Sequence, residues 1–219
     1  MLTEAQMMSI LNGTLLTVKI TIFAMIAGVL LGMIIALGRI SKNKILNAIS
    51  WFYVWVFRGT PLLLQLFVVY YALPLLTLDL FGSPIKLPGL TAAYLAFTIN
   101  TAAYLAEVFR AGIQSIDKGQ LEAGKALGMS YNQTMFKIII PQSIRRLIPP
   151  MGNELIMLIK DTSLVASIAM FDLLRSVNQM ANATGKTHYF LYAAGIYLFF
   201  TTIIQYAFGK IEKKYAAYE

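Results

Sequence analysis

Cysteine is missing from all 219 residues, which excludes disulfides and thiolate chemistry. Histidine occurs once, at His188, and no His, Asp or Glu residues cluster at metal-ligand spacing, so a membrane enzyme finds little support. Charge is scarce as well. Only 13% of the residues are charged against 58% hydrophobic, about half the charge of an ordinary soluble domain. The N-terminal "MLTEAQMMSILNGT" has no basic region ahead of its apolar run, which argues against a cleavable signal peptide. What remains is long apolar stretches and a formal net charge of +8. Such a charge could suit nucleic acid, but Lys and Arg also collect in the cytoplasmic loops of membrane proteins. The chain reads as an all-α, polytopic membrane protein in a lipid bilayer, without a nucleic-acid partner.

A helix needs ~20 apolar residues to cross the hydrocarbon. Five stretches meet that need: about 14–37, 62–78 (its start open to an earlier residue), 89–109, 143–160 and 189–208. The run 162–174 is too short to cross and reads as a helix tucked at the outer side. No repeat or low-complexity linker interrupts the chain, so residues 1–219 form one domain. Lys and Arg gather in 39–50, in 110–146 and after 209, while the other loops hold only Lys86, Arg175 and Lys186. That bias predicts an N-terminus outside and a C-terminus in the cytoplasm. Within the first span, Ala24, Gly28, Gly32 and Ala36 recur every fourth residue. Small residues so spaced let helix backbones approach in lipid, and helix packing is the role assigned to them.

The stretch "MGNELIMLIKDTSLV", residues 151–165, places Glu154, Lys160 and Asp161 in or beside a span. A carboxylate near a bilayer centre costs roughly 2.5–3.5 kcal/mol on insertion scales, so such groups usually face a polar cavity or one another. Glu154 and Asp161 are seven residues apart, which puts them on one helix stripe, ~10 Å apart along the axis. Each has a structural alternative. Lys160 could snorkel to headgroups, Asp161 could cap the next helix, and Glu154 could pair with Arg58. Asn100, mid-way along the third span, and Gln65, just past the helix-breaking "RGTP" of 58–61, could join the same cavity with Thr162 and Ser163. An amino acid needs acceptors for its ammonium and donors for its carboxylate, and amides, hydroxyls and free helix-start amides supply donors. Two carboxylates exceed what one ammonium requires, which suggests a cationic side chain: arginine, lysine or protonated histidine. Glu107 and Arg110, three apart, read as a local ion pair, and His188 as a residue of the membrane interface.

Residues 110–142 form the largest cytoplasmic piece, "RAGIQSIDKGQLEAGKALGMSYNQTMFKIIIPQ". Gly119 to Leu127 reads as a short amphipathic helix with Leu121, Ala123 or Gly124, and Leu127 on its less polar face, stopped by Gly128. A solvated connector would look similar. However, "LEAGKALGMSYNQTMFKIIIP" resembles the EAA loop of binding-protein-dependent ABC importers: Glu122, Ala123, Gly128 and Pro141 match, and Gly124 replaces the second alanine. "FRGTPLLLQL", "NTAAYLAEVFRAGIQSI" and "PPMGNELIMLIKDTSL" resemble the polar amino acid permease branch, in order and over nearly the whole chain.

That resemblance implies a type I ABC importer permease fold: about five transmembrane helices, a short cytoplasmic coupling helix and a short outer helix. It implies a bacterial inner-membrane location and a permease that works as a pair, with itself or a close relative. An external solute-binding protein would deliver the amino acid, and a separate ATPase subunit would bind ATP and Mg, leaving this chain without cofactor. An acid at the place of Glu154 resembles permeases for basic amino acids, whereas the segment holding Asp161 looks general to the family. Gly119, Leu121, Glu122, Ala123, Gly124, Leu127 and Gly128 would couple to the ATPase. A nucleotide cradle within the chain is not apparent: "MANATGKTH" has Met180 where the first glycine of Gly-x-x-x-x-Gly-Lys-[Ser/Thr] belongs. Permeases for neutral or acidic amino acids, and ion-coupled secondary transporters, stay as alternatives that ATP-dependence of uptake would separate.

Overall fold

A computed structural model describes residues 2–216. The described residues fold into helices only: α1 (Glu4–Ile40), α2 (Lys44–Gly59), α3 (Leu62–Phe67), α4 (Leu73–Phe81), α5 (Gly89–Gln114), α6 (Lys118–Ala126), α7 (Tyr131–Thr134), α8 (Ile140–Asp161), α9 (Leu173–Thr184) and α10 (Tyr189–Ala216). By length and composition, four stretches can cross a membrane: α1, the α3–α4 unit Leu62–Phe81, α5, and Tyr189–Tyr215 within α10. The expected fifth span, 143–160, falls within the helix α8, which is not among those four. At 22 residues it is long enough, ~33 Å, yet it carries Arg145, Arg146, Glu154, Lys160 and Asp161.

The helix ends follow local chemistry. Thr3 and Gln6 form a reciprocal capping box that starts α1. Asn43 caps α2 by accepting from the amides of Ile45 and Leu46. Pro61 follows the end of α2 and cannot continue its hydrogen-bond ladder. Two five-residue π-turns, Val68–Ala72 and Met135–Ile139, each precede a proline at the start of the next helix, Pro74 and Pro141. A wide turn there lets the chain run on where proline removes an amide donor.

The stripe of small residues on α1 does pack. Ala24, Gly28, Gly32 and Ala36 are buried against α5. A Cβ at Gly28 would stand 2.8 Å from Thr101 Cγ2, and one at Gly32 would stand 2.9 Å from the Ala102 carbonyl. Close backbone approach therefore holds the longest interface, with Ala92, Ala93, Ala96 and Ala102 among the buried residues of α5. Around it, one core gathers Ile20, Leu66, Phe97, Leu158 and Val165. A second gathers Ile35, Val54, Leu105, Phe109 and Leu147 nearer the α6 end.

Two expectations need correction. Residues 39–50 are not a loop: only residues 41–43 separate α1 from α2, which binds α1 and α5 before the chain breaks at Thr60–Pro61. Nor is 162–174 a single helix. A 3-10 segment, Thr162–Ile168, ends where Ala169 enters the left-handed region at φ 64°, and Asp172 then caps a separate helix, α9. Asp161 makes no capping hydrogen bond at the start of the 3-10 segment. The carboxylate that caps is Asp172, accepting from the amides of Leu174 and Arg175 at 3.0 Å each.

Candidate functional site: a polar cavity beside α8

Pro149 and Pro150 lie within α8, and Gly152 brings that helix onto α10, where a Cβ would stand 2.8 Å from the Phe208 ring. These contacts set the face of α8 on which Glu154 stands. A cavity of about 540 Å³ opens beside it, walled by Arg58 from the end of α2, by Tyr104, Glu107 and Arg110 from α5, and by Arg146 and Glu154 from α8.

Two carboxylates face this cavity in opposite circumstances. Glu107 is held from both sides. Its Oε2 accepts from Arg110 Nε at 2.9 Å and Nη2 at 2.7 Å, and its Oε1 accepts from Arg39 Nε at 3.2 Å. The expected Glu107–Arg110 pair is there, and Arg39 adds a tie from α1 to α5. Glu154 has no hydrogen bond and no ion pair among the described residues, although it is only partly exposed. The charges that act on it are Asp161, seven residues on, and Arg58. Arg58 forms no salt bridge with it; its guanidinium lies over the Tyr104 ring, 5.1 Å from the centroid. The site therefore holds a carboxyl group and a guanidinium that form no salt bridge with each other among the described residues.

Asn100 and Gln65 do something else. Gln65 Nε2 donates to the carbonyls of Phe57 (2.9 Å) and Thr60 (3.1 Å) and to Thr60 Oγ1 (2.9 Å). Asn100 Nδ2 donates to the Phe57 carbonyl and to Gln65 Oε1, both at 3.1 Å. The two buried amides satisfy carbonyls that the break at Thr60–Pro61 leaves without helical partners. Their donors are thereby engaged, and what they position is the α2 terminus carrying Arg58. Thr162 is fully buried and donates to the Ile159 carbonyl at 2.7 Å. Asp161 and Ser163 are half-buried beyond Glu154 on the same chain segment, and Lys160 is exposed.

Tyr104 escaped the sequence reading. A signal existed: Asn100, Tyr104 and Glu107 follow one another at helical spacing on α5, so a stripe search from Asn100 would have reached it.

At the other end, Asp117 caps α6 through the Gly119 amide and Gly128, at φ 76°, closes it. The apolar residues of α6 do not share one face. Gly124 turns inward, where a Cβ would stand 2.5 Å from Thr134 Oγ1, and Leu121 is half-buried. Glu122, Ala123 and Leu127 turn outward, Leu127 being 79% exposed. Gly124 therefore departs from alanine because Thr134 occupies the space of a methyl group. Gly185-Lys186-Thr187 lies at the C-terminal end of α9, where exposed carbonyls repel a phosphate.

A family model for the binding-protein-dependent transport system inner membrane component matches residues 28–216. The chain belongs to that family. Among curated relatives of this membrane component, a protein of Rickettsia typhi named for glutamine transport (the permease GlnP) is 39% identical over 94% of this chain and 92% of its own length. The arginine transport system permease protein ArtQ of Bacillus subtilis is 38% identical over 97% and 94%. A solved amino acid ABC transporter with histidines superposes with a TM-score of 0.85 at 34% identity, covering 98% of this chain and 99% of that one. The type I permease fold follows, as does a multi-pass membrane protein. The two relatives are nearly equal in identity and differ in named substrate, one neutral and one basic.

Proposed function

We propose that this chain is the permease subunit of an ATP-driven amino acid importer and that its substrate is basic: arginine, lysine or histidine. The observation that carries the reading is Glu154, a half-buried carboxylate on a membrane-length helix, without a partner, facing a cavity that also holds Arg58. An unpaired intramembrane acid is expensive to keep, and a cationic ligand offsets that cost whenever the site is filled. Arg58, kept away from Glu154 by Tyr104, remains available to the substrate carboxylate, while Asp161 adds negative field on the outer side. Similarity to relatives named for arginine transport, and to a solved transporter with histidines, supports this reading; similarity to one named for glutamine makes it a proposal.

The remaining parts follow the family. Two copies, or this chain and a relative, would pair about a two-fold axis to enclose the path. An external solute-binding protein would load the outer side, with the N-terminus outside and the C-terminus in the cytoplasm. An ATPase subunit, holding ATP and Mg, would receive the exposed Glu122, Ala123 and Leu127 of α6 and drive alternating access. Gly128→Pro tests that docking, because proline locks φ near −65° where α6 ends at +76°. The variant should lose substrate-stimulated hydrolysis in the assembled complex, and unchanged stimulation would remove the assignment.

The substrate test is uptake into proteoliposomes with the ATPase and binding protein present, comparing arginine with glutamine. Losing one charge-assisted contact of ~1.5–3 kcal/mol should weaken arginine uptake by Glu154→Gln about tenfold or more. Glutamine uptake should fall less or rise. Equal losses would leave Glu154 a structural residue and favour a neutral substrate.

A further inference from the structure

Arg146 walls the cavity that Glu154 faces, yet it takes part in no ion pair among the described residues. Its Nη1 donates instead to the carbonyl of Ser115. Ser115 is the C-cap of α5, where carbonyls lack partners within the helix and a guanidinium is well placed. Close approach of the two helices makes the reach possible: Leu147 lies against Gly112, in space that a Cβ would need. Two residues beyond Ser115, Asp117 starts α6.

A second tie joins the same parts of the chain. Gln142 Nε2, on the first turn of α8, donates to Gln120 Oε1 of α6 at 3.3 Å. Otherwise α6 rests chiefly on α7 and the π-turn Met135–Ile139, with Gly124 against Thr134. Gln142, Arg146, Pro150 and Glu154 follow one another every fourth residue, so they form one stripe of α8. The stripe runs ~18 Å along the axis. Its near end is bonded to α6 and to the residue that caps α5, and its far end is Glu154. Pro150 gives the Arg146 carbonyl no amide donor, so α8 bends most easily between the tied base and Glu154.

We propose that Arg146 is a positioning residue that passes displacement of α6 to the part of α8 carrying Glu154, with Gln142 and Gln120 as the second tie. A guanidinium serving only to cap α5 could come from any side; this one lies on the stripe that ends at Glu154. The inference rests on the reading that the ATPase subunit docks on the exposed face of α6, and it holds whichever amino acid is carried.

The test is uptake into proteoliposomes holding the permease, its ATPase subunit and its binding protein, with ATP hydrolysis measured in the same vesicles. Arg146→Gln should lower the amino acid carried per ATP about fivefold, the lower end of a typical coupling between sites. KM should stay near wild type, for arginine and glutamine alike. Arg146→Lys keeps a donor for the Ser115 carbonyl and should restore most of the loss. Gln120→Ala and Gln142→Ala should each have a smaller effect, and the two together no more than either alone, because they share one bond. A raised KM with unchanged transport per ATP would make Arg146 a substrate ligand and overturn the proposal. A lowered unfolding midpoint without rescue by lysine would make it a structural cap, and overturn it equally. Gly128→Pro tells the two readings apart. Stimulation lost there, with transport per ATP intact in Arg146→Gln, refutes the positioning role alone; stimulation kept there removes the docking of α6 and this proposal with it.

Discussion

Glu107 and Glu154 are both glutamates, both largely withdrawn from solvent and both on the wall of one cavity. Glu107 is gripped by two guanidinium groups from two helices; Glu154 faces none within ion-pair distance. The first is a structural joint that ties α1 to α5 just before the chain turns into α6. The second has no such tie, and on the proposed reading it is where a cationic substrate would bind. Burial and residue type are alike, so only the neighbours separate a brace from the proposed binding group.

Removing the brace should have the largest effect. Glu107→Ala leaves Arg39 and Arg110 facing each other, partly buried, and breaking such a pair costs up to about 3 kcal/mol. Thermal unfolding in detergent should show a lowered midpoint, and uptake of arginine and of glutamine should fall together. Glu154→Gln should invert that pattern: a midpoint unchanged or raised, because neutralising an unpaired, partly buried carboxylate relieves its desolvation penalty, with uptake divided by substrate as set out above. If Glu107→Ala discriminated between substrates and Glu154→Gln lowered the midpoint, the comparison would be reversed. The smallest effect belongs to Tyr104→Leu, which removes the ring beneath Arg58. A cation–π contact of ~0.5–1 kcal/mol corresponds to a few-fold change. Arginine KM should rise by that factor as Arg58 relaxes toward Glu154, while Tyr104→Phe keeps the ring and should leave KM near wild type.

Where the sequence went astray, the reason is local. The left-handed turn at Ala169 separates the 3-10 segment from α9, and alanine gives no warning of it as glycine would. The α2 helix was hidden because Lys42 and Lys44 read as loop charge, although Asn43 is a sound N-cap. By contrast α6 was legible to within a residue at each end, since Gly128 punctuates its close directly, and the structure adds Asp117 as its N-cap.

The positions of four spans, the small-residue stripe of α1, the limits of α6 and the oddity of Glu154 were all determined by the sequence itself. Each depends on hydropathy or on residues within about four positions, where covalent geometry brings the partners together. The fates of the polar side chains were decided only by tertiary structure. Asn100 meets Gln65 from 35 residues away, Arg39 meets Glu107 from 68, and Gly124 yields its methyl position to Thr134 on a following helix. Spacing along the chain carries no record of such meetings. In the low-dielectric interior of a membrane protein, a buried polar group is tolerated only with a partner or a ligand, so the packing that supplied partners to Glu107, Asn100 and Gln65, and none to Glu154, is what singles out Glu154 as the candidate.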